Sequence, residues 1–143
     1  AISHLEKLSK KGYISGRKMK KLSAEWVNKL GIKCVSISER INQLSGGNAQ
    51  KVIFARALES SCQIIILNHP TRGVDVGSKE EIYSLIRDIT GKGISVILLG
   101  DTLDECIGMS SRIIVLRDGM ISGEFDLPVG RKPSQLDIVT TMM

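Results

Sequence analysis

The sequence predicts an α/β fold carried by a parallel sheet. Three short apolar runs, at 63–68, 94–99 and 113–117, are rich in β-branched residues and read as strands. Helix-periodic stretches separate them, and strand–helix–strand alternation from 63 to 117 is the pattern of parallel strands with crossover helices. Of the 143 residues, 42% are hydrophobic and 24% charged, which suits a folded chain and argues against disorder. No apolar run approaches the ~18 residues that a bilayer-spanning helix requires.

Taken in order, residues 1–33 are basic and helix-patterned. Leu22, Trp26, Val27 and Leu30 fall on one helical face, and Gly31 stands where a helix C-cap is expected. Residues 34–44 read as a connector. Ser45-Gly46-Gly47-Asn48 is a turn feeding a helix over about 48–60, with Val52, Ile53, Ala57 and Leu58 inward. The strand at 63–68 is continuously apolar, which predicts burial on both faces. A loop follows to Gly77. Ser78 is then expected to cap a helix to about Thr90, because Ile82, Leu85, Ile86 and Ile89 recur at helical spacing. Gly91-Lys92-Gly93 stops that helix, and 94–99 is a second buried strand. Thr102 caps a short helix. Asp118-Gly119 is a hairpin turn between the strand at 113–117 and an edge strand at 120–125. A short C-terminal helix is expected beyond Pro133.

The net charge is +5, but it is uneven. Residues 1–33 hold nine basic and two acidic residues, against eleven and thirteen in the remainder. A basic end suits nucleic acid or an anionic surface, or is simply a solvated helical face. Only Tyr13 and Trp26 are aromatic there, so a base-stacking platform is not indicated and nucleic acid is not the expected partner. Cys34, Cys62 and Cys106 form no closely spaced pair, which predicts reduced, mostly buried thiols and neither a zinc site nor a disulfide framework. No secretory leader is visible. The start at Ala1 suggests a trimmed or excised N-terminus.

Chemistry concentrates in Leu44-Ser45-Gly46-Gly47-Asn48-Ala49-Gln50. Two glycines at a helix start let backbone amides approach a ligand, and free amides with a serine hydroxyl suit an anion. Taken alone, Ser-Gly-Gly is equally a turn and a cap. Downstream stands Ile64-Ile65-Ile66-Leu67-Asn68-His69-Pro70-Thr71-Arg72-Gly73-Val74-Asp75-Val76-Gly77. The pair of stretches closely resembles the nucleotide-binding subunits of ATP-binding cassette (ABC) transporters. Residues 44–50 resemble the signature motif, 64–69 the Walker B strand and 73–75 the D-loop. Thr71 to Gly77 and Gly108 to Ile113 resemble the C-terminal cassette of the ATPases that drive ribose- and galactose-type sugar import. The resemblance runs from Ala1 to about Phe125.

That resemblance implies a partial P-loop NTPase (RecA-like) parallel sheet with part of the ABC helical subdomain. It divides the chain into a helical segment at 1–60, a partial nucleotide-binding core at 61–127 and a tail at 128–143. It implies ATP and magnesium (Mg2+) as cofactors. Its residues for ATP held in trans are Ser45, Gly46, Gly47, Asn48 and Gln50, with Asp75 at the dimer seam. The sequence departs from the family in three places. No Gly-x-x-x-x-Gly-Lys-[Ser/Thr] phosphate loop is present. The Asp–Glu pair that closes the Walker B strand is Asn68-His69, so the magnesium position is weakened and the catalytic position holds an imidazole whose reach and direction differ from those of a carboxylate. The switch histidine position holds Asp101, whose charge would repel a phosphate.

The reading that follows is an ATP-binding component of a sugar importer that donates its signature motif to a partner's site, with weak or no ATP binding of its own. Its partners are a second cassette and a membrane permease, in a homo- or hetero-oligomer. Its location is cytoplasmic, on the inner face of the membrane. The alternatives are a composite ATPase formed in trans with a P-loop-bearing chain, and a basic interaction module outside transport.

Overall fold

The computed structural model describes residues 9–10, 13–127 and 132–143. The described residues of 1–65 and 73–97 form one compact unit, and 66–72 with the described residues of 98–143 form another.

In the first unit, β1 (Ser9–Lys10) pairs antiparallel with β2 (Tyr13–Ile14). The basic N-terminal stretch is therefore not helical throughout. Helix α1 spans Gly16–Lys29, opened by the hydroxyl of Ser15, which accepts the Lys18 N–H. Leu22, Trp26, Val27 and Leu30 are half-buried along one face, and Gly31 takes φ +56° just past the end, as the pattern predicts. The connector contains one 3-10 turn at Ile41–Gln43.

Helix α2 covers Gly46–Glu59, starting two residues earlier than the sequence suggests. Its buried residues are Gly47, Lys51, Phe54 and Ala55, while Ile53 is 47% exposed. The inward stripe is thus set by the i, i+4 series through 47, 51 and 55, and Ile53 lies off it. The Trp26 indole N–H donates to Glu59 at 2.7 Å and ties α1 to α2. Helix α3 covers Val76–Gly91 and buries Ile82, Ile86 and Ile89. Its cap is Asp75, not Ser78: the Ser78 N–H donates to the Asp75 carboxylate at 2.9 Å. Asp two residues before Gly77 is the stronger cap because its fixed oxygen reaches the third amide of the helix.

Phe54 is 1% exposed and Ile82 fully buried. Phe54→Ala is expected to cost about 3–5 kcal/mol through lost transfer energy and the cavity left behind. Urea unfolding monitored by circular dichroism checks it.

Strand β3 (Ile64–Asn68) and strand β4 (Ser95–Leu99) make a two-stranded sheet. At one end the Ser95 N–H donates to Gln63 C=O at 2.9 Å, and at the other the His69 N–H donates to Leu99 C=O at 2.8 Å, which is parallel register. Burial on both faces is not what the strands show. Ile65 and Leu67 are buried, but Ile64 and Ile66 are 59% and 68% exposed, and Ile97 and Leu99 are 53% and 47% exposed. The described residues cover one face only. A continuously apolar strand carries no alternation that would have revealed this.

In the second unit, α4 (Leu103–Met109) is capped by Thr102, as predicted. Strands β5 (Arg112–Arg117) and β6 (Met120–Asp126) form an antiparallel hairpin with a bulge between Val115 and Leu116. Asp118 and Gly119 both take positive φ, +51° and +77°, which is what a tight two-residue hairpin turn requires. Helix α5 (Gln135–Met142) is capped by Ser134 and packs on this hairpin, with Ile138 fully buried. The three cysteines are free and half-buried, so less covered than their sequence context suggested.

Candidate functional site

The candidate residues fall into two groups, one in each unit. The first is built on the start of α2. Ser45 and Gly46 are exposed, Gly47 is buried, and Asn48 and Gln50 are half-buried. Ser45 makes no side-chain bond to a backbone amide. Its hydroxyl instead accepts from the Asn48 side-chain amide at 2.8 Å. Asn48 is held in turn by the Lys33 N–H, which donates to its side-chain carbonyl at 2.8 Å. Among the described residues, the other four α-helices each open on a side-chain cap. The first-turn amides of α2 thus lack one, and a helix start without a cap presents partial positive charge.

Asp75 lies in the same unit. Its Oδ1 accepts the Ser78 N–H at 2.9 Å and its Oδ2 accepts the Ser78 hydroxyl at 2.8 Å. Those two bonds, backbone first, hold its carboxyl below the ordinary carboxylate range. Lys51, only 8% exposed, reaches Glu81 at 2.8 Å and the Gly31 carbonyl at 3.3 Å. The hydrogen bond and charge of Lys51 lower the Glu81 carboxyl. In the second unit the Ser134 hydroxyl and backbone N–H lower Asp137.

Each of these three acids has a folded pKa below its unfolded value. Each therefore adds stability that is present above the unfolded pKa and is lost as pH falls through the depressed folded value. All three are exposed, so solvent screening keeps the contributions small. Urea midpoints should hold steady at neutral pH and decline below about pH 4. Asp75→Asn should shallow that decline.

The second group sits where β3 and β4 end. Asn68 is exposed at the tip of β3. His69 follows with φ +49°, a left-handed conformation that histidine tolerates better than most side chains. Its Nδ1 lies 2.8 Å from Asp101 Oδ1. Nδ1 makes no hydrogen bond, so the contact is one of proximity. The two residues that the sequence assigned to separate roles are thus neighbours.

A third side chain holds both loops, and sequence reasoning missed it. Glu105, 6% exposed, accepts the Thr71 hydroxyl at 2.8 Å through one oxygen and the Asp101 N–H at 2.9 Å through the other. Thr71 is fully buried. The spacing Thr102-x-x-Glu105 is that of a capping box, which was the available signal. The glutamate instead reaches the residue before the cap and a loop 34 positions away.

A parallel strand pair, a glycine-opened helix and an Asp-capped helix are the parts of a nucleotide-binding cassette core. The chain belongs to the ATP-binding cassette family. Curated relatives of the chain are named as sugar-import ATP-binding proteins. It is 42% identical over 127 residues to the xylose import ATP-binding protein XylG of Thermoanaerobacter pseudethanolicus, covering 89% of this chain and 25% of that protein. It is 40% identical over 142 residues to the galactose/methyl galactoside import ATP-binding protein MglA 1 of Photobacterium profundum, covering 98% of this chain and 28% of that one. The chain thus spans about a quarter of the length of these relatives. Among solved structures, a dimeric ATP-binding cassette bound to ADP and Pi in a post-hydrolysis state matches with a TM-score of 0.68 at 29% identity, covering 82% of this chain and 51% of that one. A nucleotide-free cassette matches in fold at 21% identity with a TM-score of 0.70, covering 88% of this chain and 48% of that one. No family model matches the chain.

Proposed function

We propose that the chain is an ATP-binding component of a sugar import system that donates its signature helix to a nucleotide whose phosphate loop lies on another cassette. The observation that carries this is the start of α2, where surface-lying Ser45 and Gly46 open a helix with no side-chain cap. In phosphoryl transfer, catalysis is positioning plus electrostatics, so such a helix start serves a triphosphate held elsewhere. Ser45, Gly46 and Gly47 face the phosphates in this reading, and Asn48 and Gln50 support the turn. The helical segment 1–60 carries this turn, 61–127 carries the strand ends, and 128–143 is the tail.

Magnesium chemistry is weak on this chain. Asn68 offers a neutral carbonyl where a hard cation favours a carboxylate. His69 is set 2.8 Å from Asp101 and offers an imidazole instead of a carboxylate. ATP and magnesium therefore bind the isolated chain poorly. The partners are a second cassette and a membrane permease, on the cytoplasmic face. Among the described residues no helix is long and apolar enough to cross a membrane.

The exposed Ile64, Ile66, Ile97 and Leu99 support the need for another polypeptide, since open apolar strand faces invite association. Light scattering should therefore find concentration-dependent oligomers. A monodisperse monomer across the accessible range argues against it.

A second reading, a composite ATPase in trans, draws on the His69–Asp101 contact, which keeps an acid and an imidazole together. The deciding experiment is ATP turnover by the chain mixed with a P-loop-bearing cassette and its permease. The donor reading expects stimulation of the partner's own site and loss of that stimulation in Ser45→Ala with Gly46→Ala. Turnover independent of both substitutions contradicts it.

A further inference from the structure

The glycines at 46 and 47 invite an obvious explanation: a side chain there would obstruct the nucleotide. The geometry points elsewhere. A Cβ built on Gly47 falls 2.6 Å from Ser78 Cβ and 2.7 Å from its hydroxyl oxygen, far inside any real carbon contact. On Gly46 it falls 3.1 Å from the Gly73 carbonyl oxygen. The missing side chains of both residues would point into the chain's own 73–78 segment. Val74, 8% exposed, lies 3.8 Å and 3.7 Å from the two added carbons.

Ser78 cannot readily retreat. Its amide and its hydroxyl both bond the Asp75 carboxylate, at 2.9 and 2.8 Å. One turn further along, Lys51 of α2 meets Glu81 of α3 at 2.8 Å, so the two helix starts are clasped again below the contact. We propose that Asp75 is a positioning residue that acts through Ser78: it fixes Ser78 against Gly47 and so seats the start of the signature helix. Both Asp75 oxygens are engaged within its own helix cap, so its path to the nucleotide runs through its own chain. The ATP-related part of this inference rests on the donor reading above, whereas the packing part does not.

The test is a size-compensation cycle in the full chain: Gly47→Ala, Ser78→Gly and the double variant, with Ser78→Ala as a variant that keeps the Asp75 cap. The first readout is the backbone amide NMR spectrum of the chain alone, at residues 46–48. The second is turnover with the P-loop-bearing cassette, separating the half-saturating ATP concentration from kcat. Gly47→Ala should displace the 46–48 amides and raise half-saturating ATP about tenfold with kcat little changed, the signature of lost binding. The double variant, whose Ser78→Gly removes the obstructing atoms, should bring both within about twofold of the parent. Ser78→Ala should shift the Gly47 amide even if Gly47→Ala fails to fold.

A double variant no better than Gly47→Ala, or unmoved amides in Ser78→Ala, overturns the proposal, because space at 47 is then set by something other than Ser78. Amides displaced and rescued while ATP dependence never responds uphold the packing and overturn the donor reading instead.

Discussion

Glu105→Ala is expected to lower the unfolding free energy by about 2–5 kcal/mol. The substitution leaves two donors, the buried Thr71 hydroxyl and the part-buried Asp101 amide, with no acceptor. Each such orphan costs about 1–3 kcal/mol when water cannot reach it, and Thr71 is fully buried. Glu105→Gln keeps one oxygen and turns an amide toward the other donor, so its cost should be roughly half. Thr71→Val removes one donor and should fall between them. Urea unfolding with an unchanged m-value would confirm that the effect is on stability alone. A Glu105→Ala variant within about 0.5 kcal/mol of the parent would mean that the two loops do not depend on this carboxylate.

Restoring the family's acid pair by Asn68→Asp with His69→Glu is expected to fail on its own. The new glutamate would stand against Asp101, whose oxygen now lies 2.8 Å from His69 Nδ1. Two carboxylates about 4 Å apart cost about 4 kcal/mol at an effective dielectric near 20. The left-handed backbone at 69 adds about 1 kcal/mol for a residue less tolerant of it than histidine. Adding Asp101→His relieves the repulsion by exchanging the two side-chain types. In the assembly with a P-loop-bearing cassette, the composite reading expects the triple variant to raise turnover by at least about 10²-fold over the parent chain, the usual worth of a positioned base, whereas the donor reading expects no gain. The double variant should gain less than about tenfold. Equal gains from both would show that Asp101 does not constrain position 69. No gain from either would place the limiting loss outside positions 68 and 69.

Local features were legible in the sequence because they depend on neighbours in the chain. Thr102 caps α4, Gly31 ends α1, and Asp118-Gly119 turns the β5–β6 hairpin as their residue types dictate. The order of helices and strands followed from periodicity, but of the three strands expected to be parallel only β3 and β4 pair with each other, and β5 pairs antiparallel with β6. What escaped depends on distant residues. Asp75 displaced Ser78 as the cap of α3, yet Ser78 turned out to face Gly47, some 30 positions back. Nothing in a one-dimensional pattern marks that contact. The β3 run is apolar at every position from 64 to 67, so it could not signal that Ile64 and Ile66 lie open while Ile65 and Leu67 are covered. At the candidate site, the motifs identified His69 and Asp101 one at a time, and only the fold made them neighbours.

The most direct measurement is calorimetric titration of magnesium–ATP, first into the chain alone and then into an equimolar mixture with a P-loop-bearing cassette whose own affinity is known. The chain alone should give no saturable heat at micromolar nucleotide, and the mixture should bind more tightly than the cassette by itself. Micromolar, magnesium-dependent binding to the lone chain would contradict a site divided between two polypeptides.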